Sequence, residues 1–524
     1  MSSAQRGRRR SPPALPTLLI LITLSVACGP SAPPAPPQTA HRQLLIVLDG
    51  LRPDYVISEV MPTLHALGRR GVVFTNHHAV YPTVTRVNAA SISTGSYPEK
   101  HGLLGNHVFF PAVDANAFLN TGHEARLQRI EATEGHLLTN MSLGETLQAA
   151  GQKLMVVSNG SSGSALLLNH KVSGGAIFQY DRERISSEDQ RLNATLPSPT
   201  DDLPSALLNR WAVDTLLKGL AQLDPAVTIL WLTDPDNTAH EHGIGAAETV
   251  ESLRQIDGEL KRLTDGLAAD GRLDRFNIFV TSDHGFSTWT GGPSLKDLLK
   301  PFERTAPDGS PLIVYGDDGA VYVRGREPDV ISRIVSALQR ATGVGAIFTA
   351  PASDAAPRDG WVPGTLSFNV VRWNHKRSAD ILFSADWSQQ ANVYGVRGSA
   401  SANGVASHGT TSPFDVHNTL IVAGPDVKRG ATIPTPSANV DLAPTVLRLL
   451  GIAVPTSMQG RVLGEAIVGG PDPSTIGVRA EQHTTATADG AYSATASFSI
   501  VETARERYAY FDSAKADRRN DRTR

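Results

Sequence analysis

The chain has 524 residues, of which 40% are hydrophobic, and its 48 Lys+Arg nearly balance its 51 Asp+Glu. This length suits one large α/β domain with insertions, or two or three smaller domains, and the balanced charge argues against duplex nucleic acid as a partner. Cys28 is the single cysteine, so disulfide bonds contribute nothing to stability.

Residues 1–28 are typical of a signal peptide. The basic segment RGRRR precedes an apolar stretch at residues 15–27, which is too short to span a bilayer as a mature helix. The stretch ends at Cys28 and resembles a bacterial lipoprotein signal, although Ser25 stands where leucine is usual. We therefore expect an exported bacterial protein, periplasmic or on the cell surface, whose membrane attachment is a lipid on Cys28. Plain secretion with cleavage nearby is the alternative.

Residues 29–40 are rich in proline and predict an extended tether. In residues 41–285, the first part of a catalytic core, apolar runs predict strands at residues 44–48, 72–74, 153–158, 227–232 and 276–281. Amphipathic patterns predict helices at residues 62–70, 86–93, 142–150, 206–223 and 246–268, the third of them with a capping box of Ser142 and Glu145. This alternation predicts an α/β fold with a doubly wound, mostly parallel sheet.

The pattern changes at residues 286–400. Short strands at residues 312–315, 320–323, 368–371 and 380–383 surround a helix at residues 328–341, which predicts a small α+β insertion that caps the sheet. Residues 401–470 are the second part of the core, with a strand at residues 419–423 and a helix at residues 440–450. Residues 471–524 predict a hairpin around residues 492–500 and a frayed tail from residue 515.

Three aspartates, Asp49, Asp236 and Asp283, stand where predicted strands end. A single aspartate in such a position is usually a turn former or a helix cap. Three of them on one parallel sheet would lie along the same edge, because the carboxyl ends of parallel strands are all at that edge. Ligands of such sheets bind beyond it. The carboxylates would repel one another unless something positive lay between them, and a metal is the simplest answer.

Three histidines accompany these carboxylates. His240 follows Asp236 by four positions, His284 follows Asp283 directly, and His408 stands among small residues in ASHG. Taken singly, each histidine has an ordinary explanation as a surface or turn residue. Aspartate and histidine without cysteine are the ligands of catalytic rather than structural zinc, and six of them are enough for two metals. Two metals about 4 Å apart clamp the attacking and leaving oxygens of a phosphoryl displacement.

Thr85 stands in YPTVTRVNAASISTG, just where a helix is predicted to begin. A helix N-terminus next to a sheet edge favours an anion, so the threonine hydroxyl and the carboxylates could share one crevice. These residues predict a metal-assisted hydrolase that works through Thr85.

The motifs LDGLRPDY, YPTVTRVNAASISTGSYPEKHGLLGN, DPDNTAHEHG, TSDHG and SHGTT resemble the alkaline phosphatase superfamily. Within it, they are most similar to the type I phosphodiesterase/nucleotide pyrophosphatase family. The resemblance implies an alkaline-phosphatase-like fold and a two-zinc hydrolase of phosphodiester or pyrophosphate bonds, with a small-molecule phosphodiester or nucleotide as substrate. The sequence does not indicate an oligomeric state.

The resemblance also implies roles for single residues. One zinc would be held by Asp236, His240 and His408, and the other by Asp49, Asp283 and His284. Thr85 would bridge to the second zinc as an alkoxide and form a phosphothreonine intermediate, which zinc-bound water then cleaves. Asn106 would donate to a phosphoryl oxygen, and the backbone N–H of Arg86 could be a second donor. Other divalent metals, such as manganese or iron, could use the same ligands.

Two departures from the family pattern bear on the substrate. Arg86 stands where an aromatic residue usually follows the nucleophile, and its positive charge could favour an anionic leaving group. Residues 158–162 (SNGSS) lack the Lys and Arg that monoester-cleaving relatives carry, which favours diesters, although His170 and Lys171 could substitute. The alternatives are an alkaline-phosphatase-type phosphomonoesterase and, more remotely, an inactive metal-binding surface lipoprotein. Formylglycine sulfatases are disfavoured, because threonine cannot supply their aldehyde.

Overall fold

The computed structural model describes residues 40–171, 176–179, 185–186, 204–305, 309–316, 318–503 and 506–519. The predicted signal peptide, the tether up to residue 39 and Cys28 lie outside these residues. Within the described part of the chain, none of the helices has the length and apolar character that crossing a membrane requires.

A ten-stranded sheet organises the part that carries the strand-end aspartates. In chain order its strands are β1 (Arg42–Leu48), β2 (Val72–His78), β3 (Leu154–Ser158), β4 (Ala176–Gln179), β5 (Ile185–Ser186), β6 (Val227–Leu232), β7 (Phe276–Thr281), β8 (His417–Ala423), β9 (Ala431–Ile433) and β10 (Ser437–Ala438). Across the sheet the order is β9-β2-β8-β7-β1-β6-β3-β4-β5, with β10 paired to β2. The strands from β7 to β4 are mutually parallel, whereas β8 is antiparallel to both of its neighbours. The predicted mostly parallel sheet is confirmed.

Successive side chains of β1 point into two separate apolar layers, because side chains alternate along a strand. Leu45 and Val47 belong to a layer covered by the helices Thr85–Thr94, Glu124–Glu134, Leu143–Ala149, Ser162–Leu168 and Leu442–Leu449. Leu44, Ile46 and Leu48 belong to a layer covered by the helices Pro62–Arg70, Ser205–Leu223 and Ala247–Ala269. Helices on both faces make the sheet doubly wound, as predicted. The expected capping box of Ser142 and Glu145 begins its helix.

Residues 286–400 contribute to two further sheets. A seven-stranded sheet has the order Ile313–Tyr315, Ala320–Val323, Ile381–Ala385, Val344–Thr349, Leu366–Ser367, Ala356–Gly360 and Pro351–Ser353, and it is accompanied by the helix Pro328–Arg340. A four-stranded sheet has the order Trp387–Ala391, Arg397–Ala400, Ser287–Trp289 and Ala406–Ser407. Its last strand leads directly to His408, so the insertion shares a sheet with a segment of the core.

Several shorter elements lie between the longer strands and helices. They are the helices Pro98–His101, Asp236–His242, Leu295–Leu299 and Pro413–Val416, and a strand pair of His107–Val108 with Leu119–Asn120.

The end of the chain forms a three-stranded antiparallel sheet. Its strands are β11 (Gly477–Ala486), β12 (Tyr492–Glu502) and β13 (Arg507–Arg518). The prediction of a frayed tail from residue 515 is wrong for the described residues, because β13 pairs with β12 as far as Arg518. Apolar side chains of β12 share a core with the insertion, and the Tyr492 hydroxyl donates to the carbonyl oxygen of Gly345 at 2.9 Å.

Candidate active site

The three strand-end aspartates meet at one edge of the main sheet. Asp49 follows β1, Asp283 follows β7, and Asp236 begins the helix after β6; these strands are parallel neighbours, so their carboxyl ends lie side by side. The backbone N–H of Gly50 donates to Oδ1 of Asp283 at 3.1 Å. Gly50 has φ +72°, and a Cβ there would lie 3.2 Å from Cα of Asp236. Only glycine therefore lets these loops approach so closely.

The six expected ligands form two adjacent groups. Within each group the ligand atoms lie within 4.8 Å of one another, and the groups are Asp236 with His240 and His408, and Asp49 with Asp283 and His284. In the first group, Oδ1 of Asp236 lies 3.4 Å from Nε2 of each histidine. In the second, Nε2 of His284 lies 3.2 Å from Oδ2 of Asp283 and 3.5 Å from Oδ1 of Asp49. The rings of His284 and His408 stack with centroids 3.5 Å apart.

The three imidazoles are oriented alike. Each donates from Nδ1 to a backbone carbonyl oxygen: His240 to Ala406 at 3.0 Å, His284 to Gly285 at 3.0 Å and His408 to Thr83 at 2.8 Å. A carbonyl only accepts, so Nδ1 carries the hydrogen and Nε2 of the neutral ring is left with a lone pair. This backbone support is typical of metal-binding histidines.

The carboxylates face these lone pairs with unsatisfied oxygens. Among the described residues, Oδ1 of Asp49, Oδ1 of Asp236 and Oδ2 of Asp283 are buried without a hydrogen-bond partner. Burial, together with the charges of Asp283 and Asp236, raises the pKa of Asp49 well above its ordinary value. Burial and the neighbouring His284 hold the pKa of His408 well below its usual range. Three carboxyl groups that repel one another as anions, facing the Nε2 atoms of three imidazoles, are a set of ligands that fits two divalent cations.

Thr85 lies against the second group. It is the first residue of the helix Thr85–Thr94, it is buried, and its Oγ1 lies 3.5 Å from Nε2 of His284. The hydroxyl of Thr85, the expected nucleophile, thus lies close to the position of a cation that Nε2 of His284 would bind.

Asn106 and Arg86 are linked in a way that differs from the expectation. The backbone N–H of Arg86 donates to Oδ1 of Asn106 at 3.0 Å. Donation by this N–H to a phosphoryl oxygen stays a prediction, because in this structure the N–H hydrogen-bonds to the asparagine. The Nδ2 group of Asn106 keeps its two hydrogens for another acceptor.

The side chain of Arg86 is partly buried near acidic neighbours. Burial lowers its pKa, against the opposing charge of Asp318, and its Nε has no hydrogen-bond partner among the described residues. Asp318 belongs to the insertion, and its Oδ2 accepts from the backbone N–H of His107 at 2.8 Å. The insertion therefore places a carboxylate next to the loop that carries Asn106.

Two contributors to the site have no signal in the sequence. Nε1 of Trp231 donates to Oδ2 of Asp49 at 3.0 Å, yet Trp231 stands in the apolar run VTILWL and is indistinguishable from a core residue. Thr83 supplies the carbonyl for His408, and its hydroxyl accepts from the N–H of Gly409 at 3.1 Å.

The two side chains that could replace the missing Lys and Arg both contact Glu131. Nε2 of His170 lies 3.1 Å from Glu131, and Nζ of Lys171 lies 3.0 Å from the same carboxylate. In the SNGSS segment, Asn159 donates to Asn209 at 2.7 Å, and Ser161 caps the next helix. Among the described residues, His170 and Lys171 are therefore both paired with Glu131.

Comparison with known proteins agrees with this geometry. The family model described as type I phosphodiesterase/nucleotide pyrophosphatase matches residues 43–410. Ectonucleotide pyrophosphatase/phosphodiesterase family member 1 of Rattus norvegicus is 27% identical over 46% of this chain and 24% of its own length. Member 7 of Homo sapiens is 27% identical over 52% of this chain and 54% of its own length. The matches thus span about a quarter to about half of these relatives.

Solved structures show the same fold. Murine ENPP5 superposes with a TM-score of 0.57 at 19% identity, covering 79% of this chain and 96% of that one. A mutant of the alkaline phosphatase PafA superposes with a TM-score of 0.63 at 17% identity, covering 82% and 99%. An inactive variant of murine ENPP5 in complex with AMP superposes equally well, with a TM-score of 0.57 at 18% identity and coverage of 79% and 96%. The fold is alkaline-phosphatase-like, and the chain belongs to the type I phosphodiesterase/nucleotide pyrophosphatase family.

Proposed function

We propose that this protein is a two-zinc hydrolase of phosphodiester or pyrophosphate bonds, with Thr85 as its nucleophile. One observation carries the proposal. Three carboxylate oxygens without a hydrogen-bond partner and the Nε2 atoms of three histidines lie close together beside the Thr85 hydroxyl. Asp236, His240 and His408 would hold one cation, and Asp49, Asp283 and His284 the other. Bound cations would supply Lewis-acid charge and lower the pKa of a hydroxyl at this site.

The chain's own residues have separate tasks in this reaction. Thr85 attacks phosphorus from the start of its helix, where the partial positive charge of the N-terminus favours an anionic phosphoryl group. The attack forms a phosphothreonine and releases the leaving group; water then cleaves the phosphothreonine. Asn106, held by the amide of Arg86, donates from Nδ2 to a non-bridging oxygen whose negative charge grows in the transition state.

The residues favour a diester or nucleotide over a monoester. A monoester dianion needs more positive charge around its oxygens than a diester does. His170 and Lys171 are the side chains that could add such charge, but both pair with Glu131. Arg86 is the cation next to the nucleophile, and we assign it to the phosphate or other anion of the leaving group. The AMP bound by the structural neighbour ENPP5 is consistent with a nucleotide substrate for this chain.

The test compares bis(4-nitrophenyl) phosphate, 4-nitrophenyl phosphate and ATP as substrates. We expect turnover of the diester and of ATP to exceed that of the monoester. The Thr85→Ala variant should lose activity by about 10⁴-fold or more, while Thr85→Ser, which keeps a hydroxyl, should retain part of it. Mass spectrometry of the acid-quenched enzyme should find phosphate on the Thr85 peptide. A preference for the monoester would replace the substrate assignment, and an unchanged rate in Thr85→Ala would overturn the nucleophile.

We also propose that the protein is exported and lipid-anchored through Cys28. The proposal rests on the basic segment, the apolar stretch and the position of the cysteine at its end. Expression in a bacterial host should place the protein in the membrane fraction with a lipid on Cys28, and Cys28→Ala should remove the lipid. Release of the unmodified wild-type chain into the soluble fraction would favour plain secretion.

A further inference from the structure

A third group of possible metal ligands lies outside the six side chains described above. It consists of His78, His417 and Asp512, here called the three-strand cluster, and its ligand atoms lie within 4.8 Å of one another. His78 ends β2, His417 begins β8, and the two residues are directly opposite in the antiparallel pair. Side chains in such positions are close neighbours on one face of a sheet. Asp512 reaches them from β13 of the C-terminal sheet.

Both imidazoles point Nε2 at the same carboxylate oxygen. Oδ1 of Asp512 lies 2.8 Å from Nε2 of His78 and 3.9 Å from Nε2 of His417. The two ring centroids are 4.6 Å apart. Ligands bound to a tetrahedral zinc at about 2.0–2.2 Å are separated from one another by about 3.2–3.6 Å. Small adjustments of these side chains would therefore be enough to surround a cation.

The orientation of each group is set by a further hydrogen bond. Nδ1 of His78 donates to the carbonyl oxygen of Ser437 at 2.8 Å, Nδ1 of His417 donates to that of Pro413 at 3.0 Å, and Oγ of Ser499 donates to Oδ2 of Asp512 at 3.1 Å. Because carbonyl oxygens only accept, both Nδ1 atoms carry hydrogen, and both Nε2 atoms face the carboxylate, where a cation or a proton must lie between them. This is the same arrangement that supports the histidines of the active site.

The neighbouring His77 shows what an ordinary buried histidine looks like in this strand. Its Nδ1 bonds to Oγ of Ser437 at 2.8 Å, and its Nε2 bonds to Oδ1 of Asn439 at 3.1 Å, so both nitrogens have neutral partners. In the three-strand cluster, by contrast, two imidazoles compete for one anionic oxygen.

The cluster is also reachable from solvent. The side chain of His78 is 1% exposed, whereas those of Asp512 and His417 are 20% and 31% exposed. A cation can enter on that side, and a water molecule can complete a tetrahedral shell.

We propose that His78, His417 and Asp512 bind a third divalent cation, zinc by the chemistry of the ligands, which joins β2 and β8 of the main sheet to β13. This inference does not depend on the proposed function, because zinc at this cluster is measured without turnover. The competing state is an imidazolium of His78 paired with Asp512, without any metal.

The test counts zinc in the purified full-length protein after dialysis against a buffer of fixed free zinc. With the three groups of ligands, the wild-type chain should hold three zinc ions. Asp512→Asn and His417→Asn should each hold two; the latter keeps a donor toward Pro413 but lacks a ligand nitrogen. His483→Asn is the matched control, because His483 pairs with the lone carboxylate of Asp359 at 2.8 Å, and it should leave the count at three.

A second measurement needs no variant. Crystals of the wild-type protein grown with zinc should give an anomalous peak between His78, His417 and Asp512 when data are collected at the zinc absorption edge. A zinc count that is unchanged by both substitutions, or the absence of an anomalous peak at the cluster, would each overturn the proposal in favour of the ion pair, whatever number of zinc ions the active site holds.

Discussion

The backbone N–H of Arg86 donates a 3.0 Å hydrogen bond to Oδ1 of Asn106. This bond joins the start of the helix Thr85–Thr94 to the loop Gly105–Asn106–His107, where the backbone N–H of His107 donates to Asp318 of the insertion. Since an amide side chain has one oxygen and one nitrogen, engaging the oxygen determines that Nδ2 points away from Arg86. Asn106 is therefore oriented as a donor before substrate binds, which is the condition for electrostatic stabilisation of a transition state.

Replacing Asn106 tests this orientation. Asn106→Ala removes one donor and should lower kcat/KM for bis(4-nitrophenyl) phosphate by about 10²–10³-fold. Asn106→Asp should be worse, because the carboxylate would both lose the donor and repel the phosphoryl oxygens. Asn116, an exposed residue of a nearby loop, provides the control, and Asn116→Asp should be neutral. If Asn106→Asp is as active as the wild type, Asn106 is not a donor to substrate.

Arg86 should distinguish substrates by the charge of their leaving groups. Arg86→Ala should raise KM for ATP by about 10–100-fold, since a charge-assisted hydrogen bond contributes about 1.5–3 kcal/mol. The same variant should affect bis(4-nitrophenyl) phosphate much less, because its leaving group carries no phosphate. Arg86→Lys should recover part of the loss as a point charge. Equal losses for the two substrates would contradict a role in binding the leaving group.

Removal of metal should abolish activity and lower stability together. A chelator would leave three carboxylates crowded together at the site without the cations that they would bind, so the folded state would lose the free energy of binding. Ligand at about 1,000 times its Kd stabilises a fold by about 4 kcal/mol, which a thermal melt detects. Thr85→Ala keeps all six ligands and should show the same chelator-dependent drop in Tm. Full activity after complete chelation would rule out metal-dependent hydrolysis.

The ligands could be anticipated from the sequence because their placement follows from local patterns. The strands that precede Asp49 and Asp283, RQLLIVL and FNIFVT, are mostly apolar, and such runs mark buried parallel strands with definite ends. Parallel strands then bring their carboxyl ends to one edge, whatever the rest of the chain does. The doubly wound sheet follows from the same reasoning, whereas the division of the ligands into two groups comes from the resemblance to the phosphodiesterase family.

The contacts that orient those ligands could not be anticipated, because they join residues that are far apart in sequence. Asp318 reaches His107 across 211 positions, and Trp231 reaches Asp49 across 182. The strand at Val72–His78 was predicted to end at Phe74, since its polar end TNHH has no apolar pattern. That end is held in the sheet by pairing with β8, which a sequence pattern does not contain.

Glu481 should make stability depend on pH in the acid range. Partial burial acts to raise its pKa, but hydrogen bonds from Arg358 and Arg479, helped by Arg507, lower the pKa from 4.5 to about 2. A carboxylate with a lowered folded-state pKa stabilises the fold above its unfolded pKa, and this contribution disappears as pH falls through the folded value.

The measurement is the free energy of unfolding in urea, compared between Glu481→Gln and the wild type across a range of pH. At pH 7 the free energy of unfolding of the variant should be lower by about 1–2 kcal/mol. This is less than the pKa shift alone would give, because water in contact with Glu481 screens the charges. The difference should begin to shrink below about pH 4.5 and vanish near pH 2. Asp265→Asn, which breaks an exposed pair with Lys261, should change stability by no more than a few tenths of a kcal/mol at any pH. A Glu481→Gln difference that stays constant down to pH 2 would show that the three arginines stabilise this position by packing rather than by charge.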